Sequence, residues 1–97
     1  MVIAAPLSYS SSTSGTVAAT SGTLVSAGAF THTLQIWNNG TATIWLNPTG
    51  SAAVVGAGAP IPAGGALIFG AIDLPIPTAA ITAISSLGSV SVSIVGG

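Results

Sequence analysis

At 97 residues the chain fits one small domain, and it carries no cysteine, lysine or arginine, one acidic residue (Asp73) and one histidine (His32). Without cations there is neither counterion release nor attraction to anionic headgroups, which argues against nucleic acid and membrane surfaces as partners. Without cysteine there is no disulfide framework and no thiolate metal site. Charged residues are 1% of the chain, against roughly 25–35% on most soluble surfaces, so little repulsion keeps copies or partners apart.

The chain opens on "MVIAAPLSYSSSTSG". This stretch lacks a basic n-region and its apolar part stops at Pro6, so it does not read as a signal peptide. Residues 1–22 read as a Ser/Thr-rich arm or edge strand involved in assembly, and Tyr9 within it is a candidate interface residue. Gly, Pro, Ser or Thr interrupts every apolar run short of the ~20 residues a spanning helix needs. No segment holds a 3.6-residue period, and the charged helix formers are scarce or missing. Short runs of Val, Ile and Thr between Gly and Pro predict strands at 16–20, 23–27, 32–37, 41–46, 52–55, 66–69, 80–85 and 89–95. About seven to eight such strands predict an all-β domain, a small antiparallel β-sandwich or jelly-roll-like barrel spanning 1–97. "VVGAGAPIPAGG" reads as the most loop-like internal segment, with Pro60 and Pro62 suited to an edge or a crossing between sheets.

Within "HTLQIWNNGTATIWLNPTG", His32, Leu34 and Ile36 alternate with Thr33, Gln35 and Trp37. Ala42, Ile44 and Leu46 likewise alternate with Thr43 and Trp45. The two runs read as a hairpin with a three-residue loop, Asn38-Asn39-Gly40, and Gly40 left-handed in a bulge. That register pairs Leu34 with Ile44, puts His32 near Leu46 on the apolar face, and sets both tryptophans on the opposite face. "AAITAISSLGSVSVSIV" reads as a second hairpin turning at Leu87-Gly88. Val90, Val92 and Ile94 then face in and the intervening serines out. An uncharged strand of this kind is an aggregation hazard, so a central or covered position is expected for it.

Catalysis needs an acid, a base or a metal, and His32 and Asp73 are the only candidates. His32 reads as a structural residue and Asp73 as a turn residue before Pro75. No nucleophile-elbow pattern accompanies the serines, and Gly64-Gly65 and Gly96-Gly97 lack the context of a phosphate loop. Asn39-Gly40-Thr41 matches a glycosylation sequon but reads as turn chemistry. The chain is therefore read as no enzyme, with no catalytic residue, cofactor or metal.

The tryptophans remain. Trp37, Trp45 and Gln35, with Tyr9, are the candidate interface residues. A packing role within or between chains outweighs a sugar-stacking one, because only Asn38, Asn39, Asn47 and Gln35 could supply the polar contacts of a glycan site. At least one tryptophan is expected to be covered by the N-terminal segment, a neighbouring subunit or a partner surface, since each has ~150–250 Å² to bury.

Residues 34–97 carry a further pattern. A "LQIWNNGTATIWLN" stretch is followed by "IPAGGALIF" and then by "IPTAAITAISSLGSVSVSIV". This succession resembles a group of small tailed-bacteriophage virion proteins. The resemblance implies a β-sandwich located in the virion, a capsid decoration (cement) protein that binds the major capsid protein or another virion protein as a homo-oligomer. It brings no site residues with it. The chain departs from that pattern in having no basic residue and in ending Gly96-Gly97 where an acidic residue often stands. The alternative is a glycan-binding or adhesion module of a phage fibre, spike or tail appendage, with a tryptophan as stacking platform. A cell-surface filament subunit is a third reading.

Overall fold

A computed structural model describes residues 11–70 and 75–97. It contains eight strands and, among the described residues, no helix. The strands are β1 (Ser11–Val17), β2 (Gly22–Val25), β3 (Leu34–Asn38), β4 (Ile44–Asn47), β5 (Ala59–Ile61), β6 (Ala66–Phe69), β7 (Ile81–Ser85) and β8 (Val90–Gly96). They form two antiparallel four-stranded sheets, ordered β1-β8-β3-β6 and β2-β7-β4-β5. This is the strand order of a jelly roll, in which a long antiparallel ribbon is rolled over on itself. The expected sandwich is therefore present.

The core lies between the sheets. Val17, Leu34, Ile36, Phe69, Val90, Val92 and Ile94 line it from the first sheet, and Val25, Ile44, Leu46, Ile61, Ile81 and Ala83 from the second. The period-2 alternation of each strand places these side chains on one face. Val90, Val92 and Ile94 point inward as expected, and β8 is central, hydrogen-bonded to β1 and β3. Pro60 falls in β5, an edge strand, where a missing N–H costs no ladder bond.

Both predicted hairpins are absent. β3 and β4 belong to different sheets, as do β7 and β8. Leu34 and Ile44 still share the core, but across the sandwich rather than side by side. Gly40 is not left-handed; its glycine is needed because a Cβ there would lie 2.6 Å from Val90 Cγ1. Asn38 explains the crossing. Its buried amide donates to Ala42 O (2.7 Å) and to Ile61 O (3.0 Å) in the opposite sheet, and its Oδ1 accepts from Gly40 N (2.9 Å). Its backbone pairs with Gly64 and Gly65. At the other predicted hairpin, Gly88 adopts a φ of 63° and Ser85 Oγ donates to its carbonyl, turning the chain from one sheet to the other.

Four further expectations are corrected. The first strand covers Ser11–Val17 rather than 16–20. The 52–55 segment is loop, with Val54 and Val55 exposed and only Ala53 buried. The strand lies instead at Ala59–Ile61, inside the segment that reads as loop. His32 is exposed before the start of β3, not on the apolar face near Leu46.

Candidate interaction faces

The two tryptophans do not share a face. Trp37 projects from the outer face of the β1-β8-β3-β6 sheet and Trp45 from the outer face of the other. Each alternates with core residues, Ile36 on one strand and Ile44 with Leu46 on the other.

On the first face Trp37 sits between Ser93 of β8 and Ala66 of β6, and Gln35 between Val95 and Ile68. Ser12, Ser14 and Thr16 of β1 extend the same face beside Val95, Ser93 and Ser91. Trp37 is 40% exposed and Ile68 44%. Trp37 Nε1 donates to Gln35 Oε1 at 3.0 Å, which holds the indole against its own strand. Asn39 Nδ2 donates to Ser93 Oγ at 2.6 Å. The result is a sheet surface of hydroxyls and amides around Trp37 and Ile68, with Val95 and Ala66 beside them and no ionisable group among the described residues.

On the second face Trp45 is half-buried between Ile84 of β7 and Pro60 of β5. Its Nε1 is closed off from solvent and has no acceptor among the described residues. The β4–β5 loop is fastened to the neighbouring part of the sheet. Thr82 Oγ1 donates to Ser51 O (2.6 Å), Ala53 N donates to Ser21 Oγ (2.8 Å), and Asn47 Nδ2 donates to Ala52 O (3.2 Å). Asn47 Oδ1 accepts from Thr49 N and Oγ1, so this amide is spent on its own loop. The cover over Trp45 thus includes neighbours from β5 and β7. Strand β1 lies beside β8 in the other sheet and covers neither tryptophan.

Of the other candidates, Tyr9 and Asp73 lie outside the described residues. The His32 ring is exposed, with Nδ1 2.9 Å from Thr31 Oγ1, and its backbone N–H donates to Gly97 O at 3.0 Å. No three metal-ligating side chains come together among the described residues. Two depressions, about 160 Å³ beside Val17 and Leu24 and about 200 Å³ beside Phe30 and Ile76, fall below the ~300–1,000 Å³ of small-molecule sites. Sequence reasoning put Trp37 and Gln35 on one face of a strand and named both among the candidate interface residues. It missed Ile68 and the β1 hydroxyls, whose place beside them depends on strand pairing far along the chain. Asn38, counted above among possible sugar contacts, is consumed by bonds across the core. Comparison of the chain with protein-family models, curated proteins and solved structures returns no match.

Proposed function

We propose that this jelly-roll domain is a structural protein of a virion, a capsid decoration protein that docks on the major capsid protein without performing chemistry. The observation that carries the reading is the outer face of the β1-β8-β3-β6 sheet. There Trp37 and Ile68 stand exposed in a bed of Ser, Thr and Gln. Interface cores are depleted of charge and use aromatic residues, and this face presents Trp37 with no charged side chain among the described residues. Leaving Trp37 and Ile68 in water forgoes apolar burial at ~25 cal/mol per Å². The virion context comes from the motif likeness of residues 34–97.

A specific observation favours a second reading, glycan binding. The Trp37–Gln35 bond fixes the indole while leaving much of its surface to solvent, as a sugar-stacking platform requires. The Trp37→Ala and Ile68→Ser variants separate the two. On the decoration reading both lose incorporation into particles, and incorporation of the parent chain withstands molar NaCl, because almost no charge is present to screen. If incorporation is unchanged in both variants and Trp37→Ala abolishes glycan or cell binding, the decoration reading fails and the binding-module reading replaces it.

A further inference from the structure

The backbone of β1 carries a second, separate surface. Asn39 N donates to Ser91 O (2.9 Å), and Thr33 and Gly97 exchange both of their backbone bonds (3.1 and 3.0 Å). In an antiparallel ladder the residues that bond to one neighbour alternate with those that bond to the other. Ser91, Ser93, Val95 and Gly97 therefore turn their N–H and C=O groups toward β3. Val90, Val92, Ile94 and Gly96 turn theirs toward β1, where their partners are Val17, Gly15, Thr13 and Ser11. The remaining residues of β1, Ser12, Ser14 and Thr16, direct their N–H and C=O groups away from the sheet. Among the described residues no strand pairs with that side.

The other three edges are blunted. β2 has four residues and a register irregularity between Thr23 and Val25. β5 has three residues centred on Pro60 and is followed by Pro62. β6 has four residues and is followed by Gly70. β1 has seven residues with no proline, no charge and an unbroken register with β8, so its own sequence and pairing supply none of the blunting that an edge strand ordinarily carries. The side chains at Ser12, Ser14 and Thr16 are exposed and short, and they leave the edge sterically open.

We infer that two copies of this chain join edge to edge through β1, antiparallel about a two-fold axis at Ser14. Ser14 then faces Ser14 of the second copy, and Ser12 faces Thr16. Three residues on each copy, each giving one N–H and one C=O, allow about six interchain backbone bonds. Hydroxyl side chains meet across the junction, a favourable cross-strand combination. The two sheets become one continuous sheet, and the Trp37 faces of both copies lie on the same side of it. A two-fold contact is closed, so it yields a dimer and not a filament. The inference rests on the assembly reading for its purpose, since one dimer presents two docking faces at once, but its test does not depend on that reading.

The experiment is sedimentation of the full chain, in the micromolar range, as parent, Ser14→Pro and Ser14→Lys. Proline at an outward-directed edge position removes an interchain donor and no bond to β8. The parent is expected at twice the 9.2 kDa of one chain. Ser14→Pro is expected as monomer with an unchanged strand spectrum, and Ser14→Lys as monomer at low salt, because two like charges meet at the axis. Placement is checked with a short bismaleimide in a chain that has no other thiol. Ser14→Cys is expected to cross-link to dimer, and Ser86→Cys, exposed in the turn after β7, is not. A monomeric parent, or a dimer that survives both Ser14 variants and cross-links equally at either cysteine, overturns the pairing. A monomeric parent that enters particles refutes the pairing alone. A dimer with the expected variant behaviour that enters none supports the pairing and refutes the decoration reading.

Discussion

The outer faces of the two sheets spend the same residue type in opposite ways. Trp37 lies on an open sheet, tied by its N–H to Gln35 and with 40% of its surface left to solvent. Trp45 lies between a proline and an isoleucine on a sheet whose neighbouring surface is held under the β4–β5 loop, and its N–H is closed off without an acceptor. One face satisfies the polar atom and exposes the ring. The other encloses the polar atom and leaves part of the side chain open. A tryptophan on the outside of a sandwich is thus not by itself a binding residue; what its neighbours cover decides.

The two faces differ only while the two sheets are held in one arrangement, and the largest effect is expected where that arrangement is fastened. Asn38→Ala removes the side-chain bonds to Ala42 O, Ile61 O and Gly40 N, and Ile61 O keeps its ladder partner on β4. At ~0.5–1.5 kcal/mol for each lost bond, the loss is about 3 kcal/mol, which lowers the melting midpoint by ~12 °C or more. A fall of only a few degrees in thermal melts would mean that the crossing is held by something other than this amide. Next comes Trp45→Ala. Truncating a half-buried Trp is expected to cost about 2–3 kcal/mol, below the ~3–5 of a fully enclosed aromatic, and to leave partner binding unaffected. Trp37→Ala should show the reverse, a stability loss of ~1 kcal/mol or less with loss of binding to particle or glycan. Equal stability costs in denaturant titrations of the two variants would erase the distinction between the faces. The smallest effect is expected from Trp45→Phe, which removes the unpaired N–H. Stability should stay level or rise by up to ~1 kcal/mol. A clear loss would show that the indole N–H has a partner after all.

Facing was legible in the sequence and pairing was not. Val90, Val92 and Ile94 alternate with serines, and alternation alone assigns their side, because the side-chain period of a strand is local. The same holds for Leu34 with Ile36 and for Ile44 with Leu46. Partner choice is different. A jelly roll sends each strand to the sheet opposite the one before it along most of the chain, so a turn-like stretch such as Asn38-Asn39-Gly40 looks like a hairpin while serving as a crossing. The cue that distinguishes the two, the amide of Asn38 reaching Ile61 O, lies between residues far apart in the chain. Ala59–Ile61 went unread because proline suppresses strand propensity, although an edge strand tolerates it. Of the candidate face, Trp37 and Gln35 could be seen as neighbours in sequence. Ile68, Ser14 and Ser93 could not, since only the ladders bring them there.

The pairing of β1 with β8 also has a consequence in time. β8 fills the place between β1 and β3, so until it is made, β3 has only β6 beside it and β1 has no strand beside it among the described residues. The loop to be closed spans most of the chain, and contacts of such long range slow the search for the native state. During synthesis the β2-β7-β4-β5 layer has all its strands before the β1-β8-β3-β6 layer does. Until Val90–Gly96 arrives, the apolar sides of Leu34, Ile36 and Ile44 are incompletely covered, and this interval is when a nascent chain is most exposed to wrong association.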